Sequence, residues 1–348
     1  MKKIFVRSPY TIAIDEPGQI GSRIELFVWN LGTTEPTDPS YTFTKDIVSA
    51  TQTENVYNIS NAIREYISII KPVFSSSAIS TELPQNYCFA KVKRYYKDDT
   101  NTFNLIDEET FVCFEGYTNF FGGANQNSTS TFVPLFNQNL KIYKDEVSSN
   151  YQNIWLEVGE YRYYAPPLGY TNLVVTESKV YRLKYSAFGS YNLEQKIDLD
   201  PGFMYVNLFS FDVETICEPK YTPLICSFIN RFGGWSFLTF FKANQQSIET
   251  KSSSFNLMPQ SWNYDPYIGS NKTFNFNGTQ KITCNTGWID ESHFELIQDL
   301  MVSETILLDN VPVICKTQST DYKTRLKDKN INYTINFEYN FNLLNDVI

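Results

Sequence analysis

The sequence predicts a mainly β protein, in which two immunoglobulin- or fibronectin-like β-sandwich units precede a β-rich domain with one or two short helices. Aromatic residues make up 16% of the 348 positions, with 24 Tyr and 27 Phe, and such side chains suit a pleated, half-buried surface. Short strand-like segments separated by turn residues recur at the spacing of sandwich strands. The chain also ends in a long segment that alternates between apolar and polar residues without a break.

This last segment, Ile331–Leu343, gives the clearest strand prediction. Every odd position is apolar and every even position is Asn, Thr or Glu, so a strand here has one apolar and one polar face. At roughly 3.3 Å per residue it spans about 43 Å. We expect the apolar face to pack against the helix around Phe294–Met301 or against a partner sheet, and the polar face to line an assembly surface.

The first unit is predicted over residues 1–121. A helical interruption is expected after Ser60 or Asn61, because both residue types are favoured at helix N-termini. The small, polar stretch Gly122–Ser130 is predicted to be a linker. A middle β unit is predicted over residues 132–212.

The C-terminal β-rich unit is predicted over residues 213–348. The segment Arg231–Gly234 is expected to form a hairpin turn, because its paired glycines can supply the positive φ that such a turn needs. Residues 245–277 are interpreted as a looser, Ser/Asn-rich region. A helix over residues 291–302, capped by Asp290 or Ser292, precedes the long terminal strand.

Charge and cysteine content restrict the classes of function. The net charge of −9 and a pI near 4.9 argue against general binding to nucleic acid. The short basic run Lys91, Lys93 and Arg94 is interpreted as a solvated strand face. Six cysteines without a C-x-x-C pair predict buried free thiols and assembly in a reducing cytoplasm. We expect no secretory signal and no membrane-spanning helix.

The sequence offers little that resembles an active site. His293 is the only histidine, and we interpret it as a solvated helical residue. Asp198 and Asp200 could contribute to a calcium site, but a turn before Pro201 is favoured because the other ligands are missing. No catalytic residue, metal or cofactor is therefore predicted.

A cluster of tyrosines supports an alternative function. Tyr161, Tyr163 and Tyr164 could form a platform on which sugar rings stack, which would make the middle unit a glycan-binding adhesion module. Packing in a core or interface is favoured for these tyrosines, because the chain is so rich in aromatic residues.

Segments at both ends of the chain carry a resemblance to a known family. They are Arg7–Tyr10, Arg23–Trp29 and Tyr57–Tyr66 in the first unit, and Glu218–Pro223, Phe228–Gly233 and Leu300–Glu304 in the third. In these segments the chain resembles virion structural proteins, of the tail hub or ring type, from crAss-like and related Bacteroidota bacteriophages. The middle unit does not contribute to the resemblance.

The resemblance implies a non-enzymatic, oligomeric component of the virion tail, with a tail-protein-like C-terminal domain, assembled in the cytoplasm of the host bacterium. The expected partners are other copies of the chain in a ring and neighbouring tail or portal-proximal proteins, with no nucleic-acid specificity and no membrane. The candidate interface residues are Ile331, Tyr333, Phe337, Tyr339, Phe341, Trp235 and Phe241.

Overall fold

The computed structural model describes residues 1–49, 51–118, 132–138, 141–215, 221–258, 265, 267, 270–319 and 330–344. Within these residues the protein is mainly β, as predicted, with five sheets and two α-helices. The predicted linker Gly122–Ser130 lies outside the described residues.

The first unit is a five-stranded sheet covered by a two-stranded one. Its elements are β1 (Lys2–Phe5), β2 (Thr11–Ile14), β3 (Gly21–Trp29), β4 (Tyr41–Asp46), β5 (Asn55–Asn58), α1 (Ser60–Arg64), β6 (Ile79–Thr81), β7 (Tyr87–Lys97) and β8 (Phe103–Phe114), with a 3-10 helix over Pro84–Asn86. The large sheet has the order β1-β8-β7-β3-β4, and β2 pairs with β5. Alternate positions of β3, such as Ile24 and Leu26, face a core shared with Ile12, Ile14 and Ile63.

The middle unit consists of two sheets that share one aromatic-rich core. Its strands are β9 (Phe132–Pro134), β10 (Ile142–Lys144), β11 (Asn150–Leu156), β12 (Gly159–Ala165), β13 (Gly169–Val175), β14 (Lys179–Tyr185), β15 (Gly189–Leu199) and β16 (Gly202–Thr215). One sheet has the order β10-β16-β15-β12-β13, and the other has the order β6-β14-β11-β9. Strand β6 lies within the residue range of the first unit but pairs with β14 of the middle unit, where Ser80 is opposite Arg182.

The third unit is a seven-stranded sheet with one helix. Its elements are β17 (Leu224–Ile229), β18 (Trp235–Phe240), β19 (Gln245–Asn256), β20 (Asn271–Asp290), a 3-10 turn (Glu291–His293), α2 (Phe294–Val302), β21 (Ile306–Leu308), β22 (Val311–Cys315) and β23 (Asn330–Asn342). The sheet has the order β18-β17-β21-β22-β23-β20-β19.

Several local predictions for this unit are confirmed. The terminal strand forms as β23, and its residues Ile335 and Phe337 share a core with Ile297 and Leu300 of α2. The predicted helix begins with a 3-10 turn, where the Asp290 carboxylate accepts a hydrogen bond from the Ser292 N–H at 2.9 Å. The looser region predicted over residues 245–277 is wrong for its described part, because β19 and the first part of β20 form a regular hairpin there.

The three units meet at a buried polar junction. The Glu82 carboxylate forms an ion pair with Arg182 and accepts a hydrogen bond from the Asn153 side chain at 2.7 Å. Asn153 in turn accepts a hydrogen bond from the Trp235 N–H at 2.8 Å, and Asn86 donates to Glu82 at 3.2 Å. Because these groups come from all three units and are buried, the junction fixes the units relative to one another.

Candidate assembly surface

The seven-stranded sheet extends beyond its hydrophobic core as a projection, in which β23 contributes at the base and β19 and β20 continue as a pair. We refer to residues 245–258, 270–280 and 339–344 as the arm. Every residue of β19 is exposed, and β20 has 20 residues, which at roughly 3.3 Å each corresponds to about 66 Å. The arm exists because β19, β20 and β23 are much longer than β17, β21 and β22, so their ends have no neighbouring layer to cover them.

One face of the arm continues the apolar face of the core. Along β20, Phe276 stands on the same side as the buried Ile282, and along β23, Phe341 and Leu343 follow Phe337 at even spacing. Ile248 joins them, since it pairs with Gln280. These four apolar side chains are exposed by 60% (Ile248), 56% (Phe276), 50% (Phe341) and 45% (Leu343).

Gly278 shows that the apolar side chains of the arm lie next to one another. A Cβ atom at this position would lie 3.0 Å from Leu343 Cδ1 and 3.5 Å from Ile248 Cγ2. The side chains of β19 and β23 therefore approach each other across β20. A contiguous apolar surface of this kind typically marks a site of interaction with another macromolecule.

The other face of the arm is aromatic and basic near its outer end. Phe255 and Phe274 contact each other edge to face, with ring centroids 5.5 Å apart. Lys272 of β20 lies opposite Phe255 of β19. Lys251 of β19 lies on the same face, on the other side of the bulge at Asn275. Both lysines are exposed.

The arm also ends the sheet. Strand β19 is the outermost strand in the described part of the chain, so its outer backbone groups have no strand partner there. A long exposed edge strand is a template for pairing with another chain. Pairing along this edge would add directional backbone hydrogen bonds to a contact made by the apolar surface.

The candidate interface residues divide into two groups. Five of them are buried within the chain, so the prediction that they form an intermolecular surface is wrong. These five are Ile331, Tyr333, Phe337, Trp235 and Phe241. Their side chains pack against α2 and neighbouring strands instead. Tyr339 is partly buried and contacts Phe341, which remains available on the surface.

The predicted glycan platform is not formed by these tyrosines. Tyr161 and Tyr163 point into the core of the middle unit, because they occupy alternate positions of β12. Their hydroxyl groups donate to the backbone carbonyls of Glu157 (2.9 Å) and Lys184 (3.0 Å), and burial raises the pKa of Tyr161 to about 12. Tyr164 alone lies nearer the surface, packed against Tyr170.

His293 is buried, and the interpretation as a solvated residue is wrong. Its ring packs against Tyr143 with centroids 5.1 Å apart, and its Nδ1 lies 3.2 Å from the carbonyl oxygen of Asp290. Desolvation lowers the pKa of His293 to about 4, so the ring is neutral at pH 7.

Two cavities in the described part of the chain differ greatly in size. The cavity beside His293 and Tyr143 has a volume of about 20 Å³, which is enough for a single water molecule. A second depression, of about 620 Å³, is an open groove beside α2 where Arg231 and Glu295 form an ion pair at 2.5 Å. Glu291 also lines this groove, so its charged side chains carry a net charge of −1.

The other predictions about chemistry concern cysteines, metals and membranes. Cys88, Cys113, Cys226 and Cys284 are buried free thiols, as predicted, and Cys315 is a partly buried one. No group of His, Cys, Asp and Glu residues in the described ranges is arranged to hold a metal ion. In those same ranges, the helices are all too short or too polar to cross a lipid bilayer. Asp200 lies in the β15–β16 turn before Pro201, as expected, and Asp198 lies near the end of β15, opposite Phe203.

The sequence interpretation missed the exposed residues of the arm. Ile248, Phe274 and Phe276 lie within the region predicted to be loose, because Ser and Asn dominate it. A signal was present in the alternation of Thr273, Phe274, Asn275, Phe276 and Asn277, although the bulge at Asn275 shifts its register.

Comparison of the chain with protein-family models and with curated proteins finds no match.

Proposed function

We propose that this protein is a non-enzymatic structural subunit of a bacteriophage virion, an oligomeric component of the tail hub or ring that assembles through the arm. The observation that carries the proposal is the exposed apolar face of the arm, which continues the core face of the seven-stranded sheet. Exposure of such an apolar face to water is unfavourable, and contact with another chain removes the face from solvent.

The remaining features are consistent with this role. The resemblance in the first and third units is to phage tail proteins, and we propose that the first two units are immunoglobulin- or fibronectin-like sandwiches. The expected location is the tail of the virion, after assembly in the host cytoplasm. Other copies of the chain and neighbouring tail or portal-proximal proteins are the proposed partners.

The test is a comparison of assembly by two double variants. Phe276→Ser with Phe341→Ser removes two exposed rings from the arm, whereas Leu105→Ser with Leu168→Ser removes two exposed side chains that lie outside it. We expect the arm variant to shift the protein toward monomers, with a dissociation constant raised about tenfold or more, since burying one large apolar side chain contributes about 1.5–3 kcal/mol. The control variant should assemble like the wild type.

Mass photometry over a concentration series measures the oligomer distribution, and circular dichroism checks that each variant is folded. Subunit counting in purified particles provides an independent test. A wild-type protein that is strictly monomeric at all concentrations and absent from virions would contradict the proposal.

A further inference from the structure

The outer edge of the arm is strand β19, and its length and sequence indicate which strand binds there. We propose that β19 of one copy pairs antiparallel with β19 of a second copy, about a two-fold axis at Thr250, so that two arms form one continuous sheet. This inference rests on the proposed function, because both require the arm to be a surface of assembly. It goes further by naming the occupant of the edge and the register of the pairing.

The length of β19 restricts which strand can fill this edge. Among the edge strands in the described part of the chain, β19 has 12 residues and the next longest, β13, has seven. A partner of seven residues leaves at least five residues of β19 without a strand neighbour. A second copy of β19 is long enough to pair along nearly the whole strand.

The backbone of β19 directs a regular series of hydrogen-bonding groups outward. The Leu343 N–H donates to the Gly278 carbonyl at 2.8 Å, so the backbone groups of Gly278 face β23. The residues on either side of Gly278 therefore face β19, where they pair with Glu249 and Lys251. Thr250, which lies between these two, directs its N–H and C=O away from β20. The same alternation continues along β19, because the irregular step in the pairing places its extra residue in β20.

The charges of β19 are complementary to themselves in one register. With the axis at Thr250, Glu249 of each copy lies directly opposite Lys251 of the other, and the symmetry forms this pair twice. An axis at Glu249 would place two carboxylates opposite each other, and an axis at Lys251 would place two ammonium groups opposite each other. Like charges directly opposite are destabilising, so the same two residues disfavour these neighbouring registers.

The proposed pairing extends a series of alternating charges that already crosses the arm. Glu338 of β23 lies 3.9 Å from Lys281 of β20, and Lys281 also forms an ion pair with Glu249 of β19. The Glu249 side chain remains 49% exposed, and a carboxylate has two oxygens that can accept from more than one donor. Lys251 of the second copy, which is exposed, continues the series on the same face of the sheet.

This contact at the edge leaves the apolar face of the arm accessible. A two-fold axis perpendicular to the sheet keeps the apolar faces of both arms on the same side, where Ile248 of each copy lies opposite Ser252 of the other. The two apolar faces then form one wider surface. The edge and the face can therefore be tested by separate substitutions.

Cross-linking tests the register. Thr250→Cys places two thiols opposite each other at the axis, where the Cα atoms of a hydrogen-bonded pair are about 5.5 Å apart. We expect a short bifunctional maleimide to link this variant into dimers. Ser254→Cys is the matched control on the same edge and face, because its two copies are eight residues apart in this register, or roughly 26 Å. The wild type gives the background from the native cysteines. Equal product from the two variants, or none from Thr250→Cys, would overturn the pairing.

Charge reversal in two separate chains tests the paired residues. Lys251→Glu alone and Glu249→Lys alone should each raise the dissociation constant of the dimer about tenfold, because each places like charges opposite each other twice. A mixture of the two proteins should recover dimers to within about threefold of the wild type, because both pairs are then of opposite charge. Lys272→Glu, on β20 and away from the edge, is the matched control and should dimerise like the wild type.

Mass photometry of each protein and of the mixture measures these dimers, and circular dichroism checks folding. A mixture that dimerises no better than its two components would overturn the pairing. If both edge tests fail while Phe276→Ser with Phe341→Ser still dissociates the oligomer, β19 does not pair with itself and the proposed function stands. If the edge tests succeed but the protein is absent from virions, the pairing stands and the proposed function is wrong. A wild type that is monomeric at every concentration contradicts both.

Discussion

His293 is held neutral by its surroundings. It is 2% exposed, and desolvation lowers its pKa from 6.5 to about 4 against the weaker opposing effects of Asp290 and Glu214. Between these two pH values the unfolded chain binds a proton that the folded chain does not. The stability that the neutral ring provides is therefore fully present above pH 6.5 and is lost as the pH falls toward 4.

Replacement of His293 by Gln should remove this dependence. The free energy of unfolding of the wild type, relative to the variant, is expected to fall by up to about 3 kcal/mol between pH 7 and pH 4. Urea denaturation of both proteins at several pH values measures the difference between their free energies of unfolding. Contributions that both proteins share cancel in this difference. One of these comes from Asp299, because burial raises its pKa to about 6. A difference that stays constant over this range would contradict the assignment of a buried, neutral histidine.

Tyr161 and Tyr163 show why residue type alone did not identify a binding surface. A tyrosine ring can stack on a sugar at the surface or pack in a core with its hydroxyl group hydrogen-bonded. Which of these occurs depends on the side of β12 that the residue occupies. Arg162 lies on the other side of the strand, where it stacks over Tyr170 at 4.4 Å and Tyr205 at 3.6 Å. The alternation was readable in the sequence, but the identity of the covering sheet was not.

At the scale of elements, the β17–β18 turn connects the third unit to the first. Gly233 has φ +77°, and a Cβ atom there would lie 2.8 Å from Phe114 Cβ and 2.9 Å from the Glu115 nitrogen. The backbone of Tyr117 also donates a hydrogen bond to the Arg231 carbonyl at 2.8 Å. This turn therefore needs glycine both for its conformation and for the close approach of the neighbouring backbone.

Gly233→Ala should accordingly destabilise the protein more than Gly18→Ala. Gly18 has a nearly identical φ of +78°, but no atom lies within 4 Å of its added Cβ, so this control isolates the backbone strain of about 1–2 kcal/mol. The steric conflict at Gly233 adds further, for a total of roughly 3–4 kcal/mol. Thermal and chemical denaturation of both variants measures the two values, and equal losses would contradict the close packing.

The elements that the sequence predicted best are those specified by local pattern. Strand β23 follows from thirteen alternating residues, and the β21–β22 hairpin follows from Asp309 and Asn310, both of which have positive φ. The arm was missed because its strands are polar, with Ser, Thr, Asn, Gln or charged residues at 22 of the 32 positions of β19 and β20. Strand β20 also pairs with β23 across the intervening α2, β21 and β22, and pairing between such distant segments is not visible in a local pattern.

For the whole molecule, the arrangement of the three units determines where the arm points. The arm belongs to the third unit, and the junction around Glu82 joins this unit to the other two. A ring closes only when each copy is rotated by the same angle relative to the last. The junction thus links a buried ion pair to the geometry of the proposed assembly.

Glu82→Ala tests whether the junction keeps the three units in a fixed relation. It leaves the Arg182 guanidinium buried without its carboxylate, and loss of one partner of a buried pair costs roughly 3–5 kcal/mol. Glu194→Ala is the matched control, because it removes the carboxylate that pairs with Arg162 inside the middle unit.

We expect Glu82→Ala to split calorimetric unfolding into separate transitions and to broaden the distribution of oligomer sizes in mass photometry. Glu194→Ala should keep a single transition and the wild-type size distribution, since it leaves the relation between the units intact. A single transition and one oligomer size in Glu82→Ala would mean that other contacts, such as those of Gly233, suffice to fix the units.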